Sequence, residues 1–404
     1  MTAAERIAPA PAAPATGSVR AEVGDIPAIE GLRGVAVLWV MVFHYVVVRD
    51  GKFADAFIAA LGDWPALDAL VRNGYLGVDL FFLITGFLLT LPWFRHADAG
   101  LPPPHWRSFY VRRARRIMPA YYVQLVILFF VVVPILLPKV WMQSTPYVVG
   151  NLGAHATFLH YTNPLTSASM TVNGALWTLA IEMQYYLLLP LVAPLFVKWP
   201  LRAALGAFAI AAGWRWLCAH DLDLLVRAYV NLARPARVTD EIIRHFLATQ
   251  LPAYAFHFAL GILLGRAWML RRAKVIEASA RFVPVVVAAG SVWGLYAILR
   301  NGTSLLGDLG WVAFPVVIAL GFGAVASWPS AWLSCVVANR ALAWVGKVSY
   351  SAYLYHLPVL LLFNHFLPGL GAPLAFVLWV ALVLGISAVS FRFVESPYLA
   401  RKPG

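Results

Sequence analysis

The stretch Ile29–Val48, IEGLRGVAVLWVMVFHYVVV, decides the class of fold. It supplies the ~20 mostly apolar residues that a helix, rising ~1.5 Å per residue, needs to cross ~30 Å of hydrocarbon. Inside it stand Arg33 and His44, eleven positions apart. Eleven steps of ~100° come to roughly 1100°, within ~20° of three full turns, so both side chains share one helical face, stacked ~16 Å apart along the axis. Ionisable residues inside a span are functional candidates by default. A basic anchor near one membrane surface, with an imidazole near mid-depth on the same stripe, suits a long anionic substrate whose reactive end reaches into the membrane. The blander alternatives are an arginine snorkelling to phosphate head groups and a histidine hydrogen-bonded within a bundle.

The rest of the chain has the same character. Of its 404 residues 61% are hydrophobic and 12% charged, with a mean hydropathy of +0.75. These values exclude an ordinary soluble domain. The expected fold is all-α, a polytopic transmembrane helix bundle of about ten spans. They fall near residues 29–48, 75–94, 117–138, 176–197, 200–218, 251–270, 282–299, 309–328, 348–366 and 373–393. Tyr147 to Tyr161 is apolar but short and broken by Asn151, Gly153 and His155, which suits a re-entrant or interfacial segment; a further span is the alternative.

Charge supports this layout. With an even number of spans both termini share a side, and Lys and Arg favour cytoplasmic loops. The side carrying the termini holds 21 of them and the other holds 9. Both termini are therefore expected in the cytoplasm, with the protein in the cytoplasmic membrane. The net charge of +13 reads as topology and contact with membrane lipids, with no nucleic acid implied. Residues 1–25, rich in Ala and Pro, read as a disordered cytoplasmic tail, 26–396 as the membrane domain, and 397–404 as a short cytoplasmic end. Cys218 and Cys335 fall on opposite sides, so neither a disulfide nor a cysteine metal site is expected.

Three further segments could carry chemistry. FYVRRARRIMP, Phe109–Pro119, places Arg112, Arg113, Arg115 and Arg116 at the cytoplasmic mouth of a span. Residues three apart make two adjacent basic ridges able to grip phosphates, or the cluster is simply a topology signal. WTLAIEMQYY, Trp177–Tyr186, buries Glu182, a carboxylate that needs a partner: His44, a substrate hydroxyl, or a neighbouring helix. SYSAYLYHLP, Ser349–Pro358, puts Tyr350, Tyr353 and His356 near one stripe, either as packing or as a second site for chemistry. Asp79 lies near the outer end of its span, and a structural role suits it there. His257, Arg215, His155 and His160 have no spacing that links them to anything.

In order along the chain, these segments resemble the acyltransferase 3 family of integral membrane acyltransferases. A basic residue and a histidine separated by ten others are Arg33 and His44. GVDLFFLITGFLLT, FYVRRARRIMPAYY, LWTLAIEMQYYLL, GKVSYSAYLYHLPV and FRFVESPYL resemble the family's later signatures. Thr85 stands where serine is usual, Met183 follows Glu182 where a second acid is common, and Tyr355 replaces a tryptophan.

The resemblance implies transfer of an acyl group, often acetyl, from cytoplasmic acyl-CoA to a hydroxyl, commonly of a carbohydrate or glycoconjugate. No metal is implied. Arg33, Arg112, Arg113, Arg115 and Arg116 would hold the donor phosphates. His44 would act as general base with Glu182 beside it, and Asp79, Tyr122, Trp177, Tyr350 and His356 would line the substrate path. A secondary-metabolite sugar or lipid precursor acylated on the cytoplasmic side, and a transporter or flippase, are the competing readings.

Overall fold

A computed structural model describes residues 27–50, 56–143, 145–167, 172–232, 239–272, 310–327, 332–371 and 373–399, with a few positions between 287 and 297. The tail 1–25 and most of the expected span 282–299 lie outside them. Among the described residues there is no strand. The principal helices are α1 (Pro27–Arg49), α2 (Gly77–Asp98), α3 (Trp106–Ile127), α4 (Thr145–Ala156), α5 (Trp177–Lys198) and α6 (Pro200–His220). They are followed by α7 (Leu251–Arg272), α8 (Gly310–Ser327), α9 (Arg340–Lys347), α10 (Ser349–Phe366) and α11 (Leu374–Ser390).

Six helical stretches are long and apolar enough to cross a membrane: Ala28–Arg49, Gly74–Asp98, Trp106–Leu136, Gly174–Lys198, Asp240–Leu270 and Leu374–Leu399. The protein is an all-α, multi-pass membrane bundle. Helices α6 and α10, of 21 and 18 residues, fall outside that group. They occupy expected spans but carry polar residues, Arg202, Arg215 and His220 on α6, and three tyrosines with His356 on α10.

Helix α3 differs from its expected span. It begins at Trp106 rather than near residue 117 and continues through a π-helical turn at Leu128–Val132. Between Trp106 and Arg116 there is no Gly or Pro, Arg and Ala favour helix, and the prolines at 102–104 set the start. The four arginines are thus fixed on a helix rather than in a loop.

Helix α4 has 12 residues, about 18 Å at ~1.5 Å each, well short of a span. It ends before Phe158, whose φ of 59° reverses the chain. Its terminal carbonyls, on His155 and Ala156, accept the hydroxyls of Tyr121 and Tyr122 at 2.9 and 2.9 Å, the satisfaction a helix end in an apolar setting requires.

Close helix contacts depend on glycine. A Cβ on Gly346 would stand 1.7 Å from the Glu30 carbonyl oxygen, and one on Gly31 1.9 Å from that of Val337. The backbones of α1 and α9 therefore touch, and α2 and α7 meet likewise at Gly86 and Gly261. Such small-residue contacts replace the hydrophobic drive that lipid does not supply between helices. On α10, Pro358 has no N–H for the carbonyl of Leu354, and Asn173 Nδ2 donates to that carbonyl at 3.1 Å instead.

Arg49, just past the expected span 29–48, is buried at 1% exposure. It donates to Asn364 Oδ1 at 2.5 Å and to the Leu370 carbonyl at 3.1 Å. These bonds tie the C-terminal end of α1 to the end of α10.

Candidate active site

Helices α1 and α10 pack side by side and bring His44 and His356 together. His44 Nδ1 lies 3.2 Å from His356 Nε2, with ring centroids 4.9 Å apart. Backbone carbonyls fix the protons. His356 Nδ1 is 2.8 Å from the Tyr353 carbonyl, which can only accept, so Nδ1 carries hydrogen and Nε2 of the neutral ring presents its lone pair. His44 Nδ1 is also 3.0 Å from the Val40 carbonyl, so its hydrogen forks between that oxygen and His356. His44 Nε2 is left with a lone pair. His44 is half-buried, whereas His356 is completely buried. The reachable nitrogen of the pair is thus a base, and the buried ring backs it.

Toward the N-terminal end of α1 a charged layer forms. Arg33 donates to Glu30 at 3.4 Å and lies in the electrostatic field of Arg116, Glu182 and Tyr186. Arg113 feels Tyr186, Arg116, Glu182 and Arg112. Arg116 thus lies within electrostatic reach of both Arg33 and Arg113, while Arg112 donates to Ser108 Oγ at 3.1 Å and Arg115 lies on the same turn of α3. Arg113 Nε is buried without a hydrogen-bond partner. Neighbouring guanidiniums with a spare donor are chemically suited to phosphate.

Glu182 sits within this layer. Its carboxylate accepts the hydroxyls of Thr85, at 3.0 Å, and of Tyr186, one helical turn further along α5. The partner expected for Glu182 included His44; the structure gives Thr85, Tyr186 and the arginine field instead. Tyr186 was legible as the residue four beyond Glu182, the spacing at which helical side chains meet. Thr85, noticed only as a departure from serine, supplies the second hydroxyl.

The remaining candidates are distributed. Tyr350 donates to the Ile117 carbonyl at 2.9 Å, joining α10 to α3 beside the arginines. Trp177 faces Tyr161 and Tyr254 at ring distances of 5.3 and 5.8 Å. Tyr122 is exposed and caps α4 through the bond already described. Asp79 is buried with its Oδ1 3.4 Å from His257 Nε2, in the field of Arg215. That cluster joins α2, α6 and α7, and its only sequence signal was polarity within apolar runs. Among the described residues no group of three or more His, Cys, Asp or Glu could hold a metal ion.

Comparison with known proteins agrees with this architecture. A family model described as an acyltransferase domain matches residues 26–392. The chain belongs to the acyltransferase 3 family. It is 27% identical over 401 residues to the peptidoglycan O-acetyltransferase OatA of Listeria monocytogenes, covering 92% of this chain and 55% of that protein. It is also 26% identical over 400 residues to the regulator of hypoxia-inducible factor 1 of Caenorhabditis elegans, covering 90% of this chain and 78% of that one. The chain thus spans about half the length of the bacterial relative. No solved structure matches it.

Proposed function

We propose that this acyltransferase domain moves an acyl group, acetyl in the simplest case, from cytoplasmic acyl-CoA to a hydroxyl of a carbohydrate or glycoconjugate. The observation that carries the reading is the half-buried His44 ring whose Nδ1 lies against the Val40 carbonyl and against His356, an arrangement that assigns the proton-accepting lone pair to Nε2. The acyl-transfer family and the O-acetyltransferase relative support the reaction class.

In this scheme the donor phosphates rest against Arg33, Arg113 and Arg116, and the pantetheine arm runs along α1 toward His44, ~16 Å away along the axis. As the acceptor oxygen bonds to the thioester carbon, His44 Nε2 takes the hydroxyl proton. The carbon–sulfur bond then breaks, and the proton passes to the thiolate to give free coenzyme A. The imidazolium formed in between shares its charge through His44 Nδ1–H, His356 and the Tyr353 carbonyl. Glu182 keeps the arginine layer ordered and lies apart from the base. Both termini face the cytoplasm in this arrangement, and the membrane is the cytoplasmic one.

Purified His44→Ala is expected to bind coenzyme A as the wild type does and to lose about 10²- to 10⁴-fold in acyl transfer, the usual worth of a general base. Undiminished turnover by this variant would overturn the scheme. Transport of a sugar without consumption of acetyl-CoA would replace it with a carrier.

A further inference from the structure

The acyl-transfer scheme needs His44 and His356 within hydrogen-bond distance, yet they stand on different helices, 312 positions apart in the chain. A side chain from a third helix touches the backbone or the neighbour of each. Helix α11 buries one stripe, Ala375, Trp379, Val383 and Ser387, and leaves Val377, Leu378 and Leu382 exposed. The spacing of four makes that stripe the packing seam of the helix. Trp379 is its one large residue and is completely buried. A buried indole N–H calls for an acceptor. Trp379 Nε1 donates to the backbone carbonyl of His356 at 3.2 Å.

The same indole packs on Tyr45, the residue after His44, with ring centroids 5.4 Å apart and planes at 32°. Phe376, one turn earlier on α11, meets the completely buried Tyr45 edge on at 5.0 Å. Trp379 thus bonds to the backbone that carries one imidazole and packs on the neighbour of the other. Helix α10 needs such support at this place. Pro358 supplies no N–H, and its ring presses on the Leu354 carbonyl, so the helix's own ladder does not fix the turn around His356. Donors from outside the helix do so: Asn173 Nδ2 on the Leu354 carbonyl, and Trp379 on that of His356.

We infer that Trp379 is a positioning residue, which sets the separation of His44 and His356 by holding the His356 backbone with its N–H and Tyr45 with its ring. This rests on the acyl-transfer reading above, in which the two imidazoles act as a unit. A residue that acts through His356 and a residue that merely fills the core differ in one respect. The first loses its influence on turnover once the His356 ring is gone, and the second keeps it.

The test is a cycle of Trp379→Phe and His356→Ala in the full chain, read as release of free coenzyme A from acetyl-CoA with a cell-envelope carbohydrate fraction as acceptor. Phenylalanine keeps a ring in the seam and removes the N–H. The expected result is a kcat lowered about fivefold, with KM for acetyl-CoA within about twofold of wild type. In the His356→Ala background the same change should alter kcat by less than about twofold. Tyr45→Leu, which removes the ring contact on the α1 side and leaves the indole bond in place, should behave likewise in both backgrounds. An unchanged kcat, a loss confined to KM, or an equal loss with and without the His356 ring would overturn the inference. Should Trp379→Phe fail to fold, Tyr45→Leu is read by the same criteria. Wild-type protein that releases no coenzyme A, or full turnover by His44→Ala, would instead remove the acyl-transfer reading on which the inference stands.

Discussion

Two pairs of histidines lie in contact in this protein, and they are built in opposite ways. His44 and His356 meet edge on, their ring planes 58° apart and nitrogen facing nitrogen at 3.2 Å. His155 and His160 stack face to face, with centroids 4.1 Å apart and planes within 11°. In the stacked pair His155 Nδ1 is 2.7 Å from the Asn151 carbonyl and His160 Nε2 is 3.0 Å from that of Leu176. Both stacked rings are completely buried, and His160 Nδ1 has no partner. A lone pair without a partner is therefore common to both places. Access and a nitrogen-to-nitrogen path belong only to the first, and they distinguish a base from a buried structural histidine.

After removal of His44 itself, the largest effect should come from breaking the first pair on its buried side. His356→Ala leaves the proposed His44 base in place, its Nδ1–H still accepted by the Val40 carbonyl, but removes the second acceptor and the path that spreads the imidazolium charge. A loss of about 10- to 10²-fold in kcat is expected, with little change in KM for acetyl-CoA. The double variant His44→Ala/His356→Ala should be no slower than His44→Ala alone, because groups that act as a unit are not additive. Multiplying losses in steady-state kinetics would show that the two rings work independently.

How far this arrangement was legible in the sequence depends on the range of the contact. The helices were legible because each depends on local apolar content, and the Arg33–His44 stripe because it lies within one helix. His356 stood out as the one histidine within SYSAYLYHLP, Ser349–Pro358. Its meeting with His44 spans 312 positions and is set by helix packing, which no periodicity reports. For the same reason the partner of Glu182 stayed open among His44, a substrate hydroxyl and a neighbouring helix, and in the fold a neighbouring helix supplies it through Thr85, 97 residues away. Only Tyr186, four residues along the same helix, lay within reach of a spacing argument.

An effect of intermediate size should follow at the other end of α1, where spare capacity again coincides with a candidate ligand. Arg113 has a buried Nε without a partner, as His160 has a buried Nδ1, but it lies among other guanidiniums rather than among rings. Arg113→Ala should raise KM for acetyl-CoA about tenfold, or ~1.4 kcal/mol, with kcat largely kept. Arg113→Lys should recover only part of this, since an ammonium lacks the planar fork that grips phosphate. Equal activity of all three proteins would make the arginine cluster a topology signal alone.

The smallest effect is expected at the stacked pair. Replacing His155 by Phe keeps a flat ring over His160 and beside Phe129, whose centroid is 5.6 Å from His155. The contact of His155 Nδ1 is local, to the carbonyl four residues earlier in the same helix, at 2.7 Å. The Tyr121 hydroxyl is bonded to the His155 backbone, so the tie from α3 to the end of α4 survives the change. Transfer of acetyl by His155→Phe should stay within about twofold of wild type, as for a substitution that removes no interaction made in the transition state. A loss approaching that of His356→Ala would mean that the stacked pair opens during turnover, and that burial in the resting fold does not separate structural from catalytic histidines here.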